Sequence, residues 1–463
     1  MSNDTKTILT MKKIFALMMT AGLLSSCGIY SSYKRPEVKD ANLYGEAVQS
    51  SDTSSIGDLS WKEIFTDPQL QQLIEKGLSS NTDLRIAHLK VAEASAYLTV
   101  SKLAYAPSLN LTPNGAITSY DGNKATQTYQ LTGTASWEID IFGKLTNAKR
   151  GAQAVLEQTE AYRQAVQTQL VATIANSYYS LLALDRQLAI ADATLVNWEE
   201  YLRTLRALKD AGQATDAAVT QAEASYLGVK SQKLTLQQQQ KNVENNLSTL
   251  LAESPRRIER GVLEGQVFPE HLAVGVPLSV VGNRPDVRRA EASLKQAFYA
   301  TNKARSAFYP SITLSGTAGW TNNLGGMISN PGGVMLQAVG SLVQPIFNSG
   351  ANRANLKVAK AQQEAALLTF QQSLLNAGSE VNSALVQWQT SREKLVYGQK
   401  QVDALQSTVK STRLLMNHGN TSYLEVIMAQ QSLLQAELAQ VANRLGEIQG
   451  VISLYHALGG GLQ

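Results

Sequence analysis

The chain has 463 residues, of which 44% are hydrophobic, 6% are aromatic and 17% are charged. Its net charge of +4 is small and dispersed along the sequence. It lacks the interleaved basic and aromatic residues of nucleic-acid-binding proteins, so nucleic acid is excluded as a partner. The single cysteine excludes an internal disulfide and a cysteine metal cluster.

The first 26 residues have the composition of an export signal. Two lysines precede an apolar run at 14–24 that is too short to span a membrane, and Met11 is a candidate start. The sequence Leu-Ser-Ser-Cys that ends at Cys27 resembles the lipobox of bacterial lipoproteins. It predicts a covalent lipid on Cys27 and no other cofactor; an ordinary signal peptide with an incidental cysteine is the alternative. A lipidated segment at 27–58 would tether the chain to a membrane without crossing it.

Two stretches about 200 residues apart repeat one plan. The segment that begins at Asn81 aligns with the segment that begins at Arg284, an offset of 203 residues, and Pro107 aligns with Pro310 at the same offset. In both stretches a proline follows a helix-forming run of about 24 residues and precedes alternating hydrophobic residues. Because proline stops a helix, Pro107 and Pro310 are predicted to be helix-to-strand joints.

An internal duplication accounts for this repetition. Further along the chain, Ile141 aligns with Ile346 at an offset of 205 residues, a small slip of the kind that loop insertions cause. A period of this length is far too long for a solenoid repeat. We therefore expect a first unit at 59–252, a linker at 253–283 and a second unit at 284–463.

Four strands are predicted, two in each copy. At 127–141 and 311–321 hydrophobic and polar residues alternate with a period of two. Their partners at 108–119 and 334–346 are weaker, since a proline and a glycine interrupt them. A soluble antiparallel sheet with one wet face is the alternative, but strands of about 10 residues or more would also cross a membrane at a tilt.

Polar, glycine-rich segments at 121–127 and 322–333 are predicted to be the loops between these strands. Four strands cannot close a barrel, and an open sheet in lipid leaves backbone groups unpaired. Oligomerisation is the physical solution. Three copies would supply twelve strands, which is within the known range of barrel sizes.

Two long helices are predicted at 144–209 and 350–417, each about 100 Å in length. Hydrophobic residues step by three and four along the first of them, as in a coiled-coil seam. These positions are Leu181, Leu184, Leu188, Ala191, Leu195, Trp198, Leu202 and Leu205. Turns at Gly212 and Gly419 end the long helices, and returning helices cover 215–252 and 422–458. A coiled-coil scaffold without a pore is the alternative, although it leaves the strands unexplained.

Three stretches carry a family resemblance. They are WKEIFTDPQLQQLIEKGLSSNTDLRIA, VPLSVVGNRPDVRRAEASL and HGNTSYLEVIMAQQSLLQAE, which begin at Trp61, Val276 and His418. Together with the layout of the whole of 58–460, they resemble the TolC-type outer membrane efflux proteins. More narrowly, they resemble the lipoprotein branch of that family, which serves resistance-nodulation-division pumps.

The resemblance implies an α+β membrane protein of TolC-like fold. It would be a homotrimer with a twelve-stranded β-barrel, continued by a twelve-helix periplasmic α-barrel. A mixed equatorial belt would be built from 59–80, the 253–283 linker and the C-terminal segment. The protein would lie in the bacterial outer membrane, anchored by lipid and extending into the periplasm.

The resemblance also implies the function of an outer membrane exit duct in a tripartite efflux pump. Small molecules would pass when a periplasmic adaptor and an inner-membrane resistance-nodulation-division transporter open the periplasmic end. The other expected partners are two further copies of the chain and outer membrane lipid. A duct for type I protein secretion in the same fold is the alternative, and it is less favoured because lipobox-bearing chains with an NRPDVRRAE-like stretch go with small-molecule pumps.

The ends of the two helical hairpins hold the candidate functional residues. Small and apolar residues recur there with the same spacing, and they fit either an adaptor contact or a capped turn with core-facing positions. They are Gly212, Val219 and Ala222 in the first hairpin, and Gly419, Val426 and Ala429 in the second.

Glu425 and Met428 lie three residues apart and are predicted to form the periplasmic gate, as one ring of each in a trimer. In the family both positions are often acidic, so Met428 departs from that pattern. Glu425 as an ordinary solvated charge is the alternative. Family members also carry an arginine-containing latch near this end, whereas Met416 and Thr421 stand here, so no salt-bridge latch is expected.

The sequence contains no set of residues typical of an enzyme. His88, His271, His418 and His456 are far apart, and no HExxH, P-loop or GxGxxG motif occurs. Catalysis is therefore not expected. The eight methionines do not cluster into a soft-metal site, so the pattern does not support copper or silver export, and no metal site is predicted.

Overall fold

The structure is a computed structural model, and it describes residues 30–36, 59–268, 282, 284–324, 327–418 and 422–460. The predicted signal peptide, Cys27, Thr421 and Gly419 lie outside the described residues. The chain divides into two compact units. The strand unit comprises Met1–Val38, Lys90–Glu160 and Arg289–Gln371, and the helical unit comprises Lys39–Leu89, Ala161–Arg288 and Gln372–Gln463.

The described elements alternate between helices and strand pairs. The first group is α1 (Trp61–Ile64), α2 (Pro68–Ser80), α3 (Thr82–Leu103), β1 (Ser108–Thr118), β2 (Thr126–Ile139), α4 (Lys144–Asp210) and α5 (Asp216–Leu250). The second group is α6 (Pro285–Ser306), β3 (Ser311–Leu324), β4 (Met327–Val343), α7 (Ala351–Asn417) and α8 (Tyr423–Ala457). No helix in the described part of the chain is both long and apolar enough to cross a membrane.

The four strands form one antiparallel sheet in the order β1-β2-β3-β4. Ser108 is opposite Ser136, and Ser311 is opposite Val343. Each of β1 and β4 pairs with one strand only among the described residues, so the sheet has two open edges. β1 continues through Pro113, because an edge strand tolerates the missing N–H of proline.

The second strand pair is longer than expected, so the prediction of a loop at 322–333 is wrong. β3 continues to Leu324 and β4 already begins at Met327, with one irregularity after Thr321. Asn322 is buried, its Oδ1 accepts a hydrogen bond from the Tyr129 backbone N–H at 2.8 Å, and its Nδ2 donates to the Gln127 carbonyl at 3.0 Å. These side-chain bonds replace ladder bonds, so polar residues extend the sheet.

Short segments link the strands to the helices. Pro107 immediately precedes β1 and Pro310 immediately precedes β3. β2 ends at Ile139, two residues before the predicted end, because the carboxylate of Asp140 accepts hydrogen bonds from the backbone N–H groups of Leu145 and Thr146 at 2.9 and 2.7 Å. A carboxylate at this position satisfies N–H groups that the start of α4 would leave unpaired.

The core of the helical unit follows the predicted seam of α4. Most of the seam is buried, including Leu181, Trp198 and Leu205. Leu184 and Ala191 of α4 form a buried cluster with Leu236 of α5, which joins the long helix to its returning partner. This is the packing that a step of three and four residues produces.

Two buried arginines fix the polar interior of the helical unit. The side chain of Arg260 is 6% exposed; its Nε and Nη2 donate to the two carboxylate oxygens of Asp185 at 2.5 and 2.9 Å, and its Nη1 donates to Glu244 at 2.7 Å. Glu244 is 2% exposed. Burial acts to raise the pKa of Glu244, but hydrogen bonds from Lys241 and Arg260 outweigh it, so the pKa lies below its ordinary value.

The second buried arginine is Arg284, which belongs to the NRPDVRRAE stretch. Its guanidinium binds both carboxylate oxygens of Asp286 at 3.0 and 2.8 Å and one oxygen of Glu380 at 2.5 Å. It also donates to the carbonyl of Ala457 at 2.7 Å, the last residue of α8. Arg284 therefore ties the start of α6 to α7 and to the end of α8, where a cation is favoured.

Candidate functional site

The first hairpin end is a tight turn between α4 and α5. Gly212 has a φ of +74°, which favours glycine, and the backbone N–H of Gln213 donates to the carbonyl of Leu208 at 2.8 Å. Thr215 caps α5, since its Oγ1 accepts from the backbone N–H of Ala218 at 3.2 Å. An ion pair between Lys209 and Asp216 closes the turn.

At the second hairpin end, α7 ends at Asn417 and α8 begins at Tyr423, with Ser422 in an extended conformation at its start. The backbone N–H of Glu425 donates to the carbonyl of Ser422 at 3.2 Å, within the first turn of α8.

Polar contacts join the two hairpins near these ends. The hydroxyl of Tyr201 on α4 donates to the backbone carbonyl of Tyr423 at 2.9 Å. The hydroxyl of Tyr423 lies 3.1 Å from Oγ1 of Thr215. Farther along α5 and α8, Nε2 of Gln431 donates to Oγ of Ser225 at 2.9 Å. We call Tyr201, Thr215 and Tyr423 the hairpin link, because they connect the first hairpin to the start of α8.

Tyr201 is the centre of the hairpin link. It is 5% exposed and packs edge-on against Trp198, with ring centroids 5.9 Å apart. Burial, with a smaller contribution from Tyr423 and an opposing one from Arg413, raises the pKa of Tyr201 to about 12. The hydroxyl is therefore protonated at neutral pH and remains a hydrogen-bond donor.

Met416 contacts the hairpin link. Its sulfur lies 3.8 Å from the hydroxyl of Tyr201, so Met416 contacts a tyrosine rather than a charged side chain at this atom. Trp198 belonged to the predicted seam, but nothing in the sequence distinguished Tyr201 from other helix residues. The aromatic pair spaced by three residues is the signal that could have pointed to it.

The two predicted gate residues lie on one face of α8. Glu425 and Met428 are both exposed in the described chain, and 59% of the Met428 side chain is accessible. An exposed carboxylate followed one turn later by an exposed thioether is compatible with a charged ring beside an apolar one. Their role at a gate stays a prediction.

The small residues near the hairpin ends are buried, unlike Glu425 and Met428. Val219 and Ala222 on α5 and Val426 and Ala429 on α8 are each at most 7% exposed. Packing of α5 and α8 accounts for their small size. Their contact with an adaptor stays a prediction. Among the described members of this set, Gly212 lies at the surface, with open space where a Cβ would be.

Among the described residues, no group of three or more His, Cys, Asp or Glu side chains is placed to hold a metal ion. The described residues of the hairpin ends are held by the bond from the Tyr201 hydroxyl to the Tyr423 carbonyl, the contact between the Tyr423 and Thr215 hydroxyls and the ion pair of Lys209 with Asp216, beside the exposed Glu425 carboxylate. This arrangement can hold the two hairpins together.

A family model described as "Outer membrane efflux protein" matches the chain twice, at residues 73–253 and 277–460. The chain is 30% identical over 463 residues to the probable outer membrane lipoprotein SilC of Salmonella typhimurium, covering 98% of this chain and 99% of SilC. It is 29% identical over 465 residues to the probable efflux pump outer membrane protein TtgC of Pseudomonas putida, covering 97% of this chain and 96% of TtgC.

A solved structure has the same fold. The crystal structure of CusC matches with a TM-score of 0.85 and 28% sequence identity, covering 94% of this chain and 100% of the CusC chain.

Proposed function

The chain belongs to the outer membrane efflux protein family, and from this premise we propose that three copies of it assemble into one channel with a closable periplasmic end. The fold is TolC-like, and the protein is an outer membrane channel through which an efflux pump discharges. It works with pump partners on the periplasmic and inner-membrane sides. The stoichiometry, the gate and the lipid anchor are the proposal.

The two open edges of the sheet are the observation that supports assembly into a trimer. Apolar side chains on the edge strands are strongly exposed, such as Leu109 at 80% on β1 and Leu336 at 79% on β4. An unpaired edge in hydrocarbon costs several kcal/mol for each unsatisfied backbone group. If β4 of one copy pairs with β1 of the next, three four-stranded sheets close a barrel of twelve strands, and no edge remains.

The double match of the family model supports an internal duplication. Each half supplies a strand pair and a long helix with its returning helix, of 67 and 35 residues in both halves. Three chains would then contribute twelve helical columns to a periplasmic α-barrel, four from each chain.

The hairpin link supplies the mechanism of the gate. The bond from Tyr201 to the Tyr423 carbonyl contributes about 1 kcal/mol, which is small enough for a docking adaptor to overcome. Glu425 and Met428 follow directly on α8, so a movement of the start of α8 would move both side chains. A periplasmic adaptor, coupled to an inner-membrane resistance-nodulation-division transporter, would hold the link open.

A lipid on Cys27 completes the proposal. SilC is described as a lipoprotein, and the Leu-Ser-Ser-Cys sequence here is the support from this chain. The cargo is small molecules, because the relatives are components of efflux pumps.

Recording single channels of the purified mature protein in planar bilayers tests the proposal, after native mass spectrometry has given the number of copies. We expect three copies, a mostly closed wild-type channel, and an open fraction several-fold higher for Tyr201→Phe. Tyr226→Phe is the matched control, because the Tyr226 hydroxyl bonds Glu199 at 2.9 Å between α4 and α5 of the first hairpin alone. A monomeric chain that needs no detergent would refute the channel, and equal opening of both variants would refute the link.

A further inference from the structure

Positive charge is concentrated where the four strands join the helices of the strand unit. Within fourteen residues of these strand ends, on the helix side, the chain has eight basic residues and one acidic residue, Asp140. The whole chain has a net charge of +4, so the rest of it is net negative. We call this set the basic collar: Lys102, Lys144, Lys149, Arg150, Lys303, Arg305, Arg353 and Lys357.

The charges of the basic collar are available to a partner. All eight side chains are exposed. Of the eight collar residues, Lys144 is the one that forms an ion pair with another described residue, Glu138. Lys149 lies over the ring of Tyr105 at 5.6 Å, a contact that leaves its ammonium group accessible to an anion.

The one carboxylate in these segments does not neutralise the collar. Asp140 accepts three hydrogen bonds, from the backbone N–H groups of Leu145 and Thr146 and from the Thr146 hydroxyl. It is therefore engaged in capping α4.

Helix stability explains only the part of the collar that lies in the last turns of α3 and α6, namely Lys102, Lys303 and Arg305. Basic residues are favourable in the last turn of a helix and unfavourable in the first, because the helix N-terminus carries a partial positive charge. Lys144 and Arg353 lie in the first turns of α4 and α7, and neither first turn contains an acidic residue. An external anion would compensate for both side-chain charges, and at α7 also for the helix dipole; at α4 the carboxylate of Asp140 already meets the dipole.

Exposed aromatic residues lie in the same segments. Tyr105, Phe308, Tyr309 and Phe347 stand between the strands and the collar, and they are 37%, 39%, 40% and 86% exposed. Aromatic side chains concentrate where a membrane-spanning strand meets the polar headgroups. The basic collar lies next to these aromatic residues on the helix side, which would place it at the level of the lipid phosphates.

We propose that the basic collar binds anionic phospholipid headgroups of the membrane leaflet that faces the periplasm. This inference rests on the proposed function, which places the strands in the outer membrane. The collar fixes the depth of the strands, because each basic side chain near an anionic surface contributes a factor of about five to binding. A phosphate diester offers the single negative charge and the acceptor oxygens that Lys and Arg recognise.

The test measures lipid preference of the full mature protein in nanodiscs that contain dioleoyl-phosphatidylglycerol and dioleoyl-phosphatidylcholine. We expect wild-type protein to enrich phosphatidylglycerol and a triple variant, Lys149→Gln, Lys303→Gln and Lys357→Gln, to lose about tenfold or more of that preference. The matched control replaces three exposed lysines of α7 in the helical unit, Lys394→Gln, Lys400→Gln and Lys410→Gln, and keeps the wild-type preference.

Salt gives a second measurement that needs no variant. Raising NaCl from about 0.05 M to about 0.5 M screens exposed charges, so the wild-type preference for phosphatidylglycerol is expected to fall.

Equal binding of the two lipids, or equal loss in both triple variants, overturns the inference. Displacement by inorganic phosphate alone assigns the collar to a soluble anion and overturns it as well. A wild-type protein that conducts ions in the same lipids, yet shows no lipid preference, refutes the collar and leaves the proposed function standing.

Discussion

Two arginines of the helical unit and two of the strand unit contrast in burial and pairing. In the helical unit, Arg260 and Arg284 are buried and each is bound by two carboxylates. In the strand unit, Arg150 and Arg353 are exposed, and neither forms an ion pair among the described residues. A buried, paired arginine fixes the position of the segments that it connects, whereas an exposed, unpaired one is available to a partner.

Burial and pairing distinguish arginines that stabilise the fold from arginines that can bind a partner. Removing a partner from a buried pair leaves a charge without compensation, which is strongly destabilising. Removing an exposed charge has little effect on stability. The same type of substitution should therefore give large structural effects in one unit and binding effects in the other.

Arg260→Met should produce the largest loss of stability. The variant leaves Glu244 buried with Lys241 as its remaining cation, and we expect the free energy of unfolding to fall by about 3–5 kcal/mol. Denaturant titration of the protein in detergent, followed by circular dichroism, measures this. Arg256→Met is the control, since Arg256 is 41% exposed and pairs with Glu253, and it should cost less than about 1 kcal/mol. Similar losses in both variants would contradict the comparison.

Low pH should weaken the ion pair between Glu244 and Arg260, because Glu244 becomes protonated. The pKa of Glu244 is lower in the folded protein than its ordinary value, so the unfolded chain binds the proton more readily. This contribution to stability is present above the unfolded pKa and is lost as the pH falls below it, through the folded pKa. Melting temperatures measured from pH 7 to pH 3 should fall less steeply for Glu244→Gln than for wild type. Glu259→Gln, at an exposed position, should retain the wild-type slope.

Much of the secondary structure could be predicted because its signals are local. The seam of α4, the alternation in β2 and the prolines before β1 and β3 each lie within one short stretch. The predicted loop at 322–333 was wrong because the bonds from Asn322 to Gln127 and Tyr129 join residues more than 190 positions apart. No local pattern encodes such a pair.

The polar sites were harder to predict for the same reason. Arg284 donates hydrogen bonds to Glu380 and to the Ala457 carbonyl, which are 96 and 173 residues away in sequence. Tyr201 donates one to the carbonyl of Tyr423, 222 residues away. The basic collar was hidden because its charges appear dispersed along the sequence and become a set only when four strand ends meet in one sheet. Glu425 and Met428 could be named because a resemblance, with their spacing on one helix, pointed to them.

Glu425→Ala tests whether an exposed carboxylate of the helical unit affects ion passage rather than stability. Glu425 is exposed, whereas Glu244 is buried, so its removal should leave the melting temperature unchanged. If Glu425 lines the gate, a cation passing about 4 Å from its carboxylate in water gains about 1 kcal/mol, a factor of about five. The permeability ratio of K⁺ to Cl⁻ in planar bilayers should fall by up to that factor. Glu223→Ala, which removes an exposed carboxylate from α5 of the first hairpin, is the control and should leave the ratio unchanged. An unchanged ratio for Glu425→Ala would make Glu425 an ordinary solvated charge, and the exposed charges with a binding role would then belong to the strand unit.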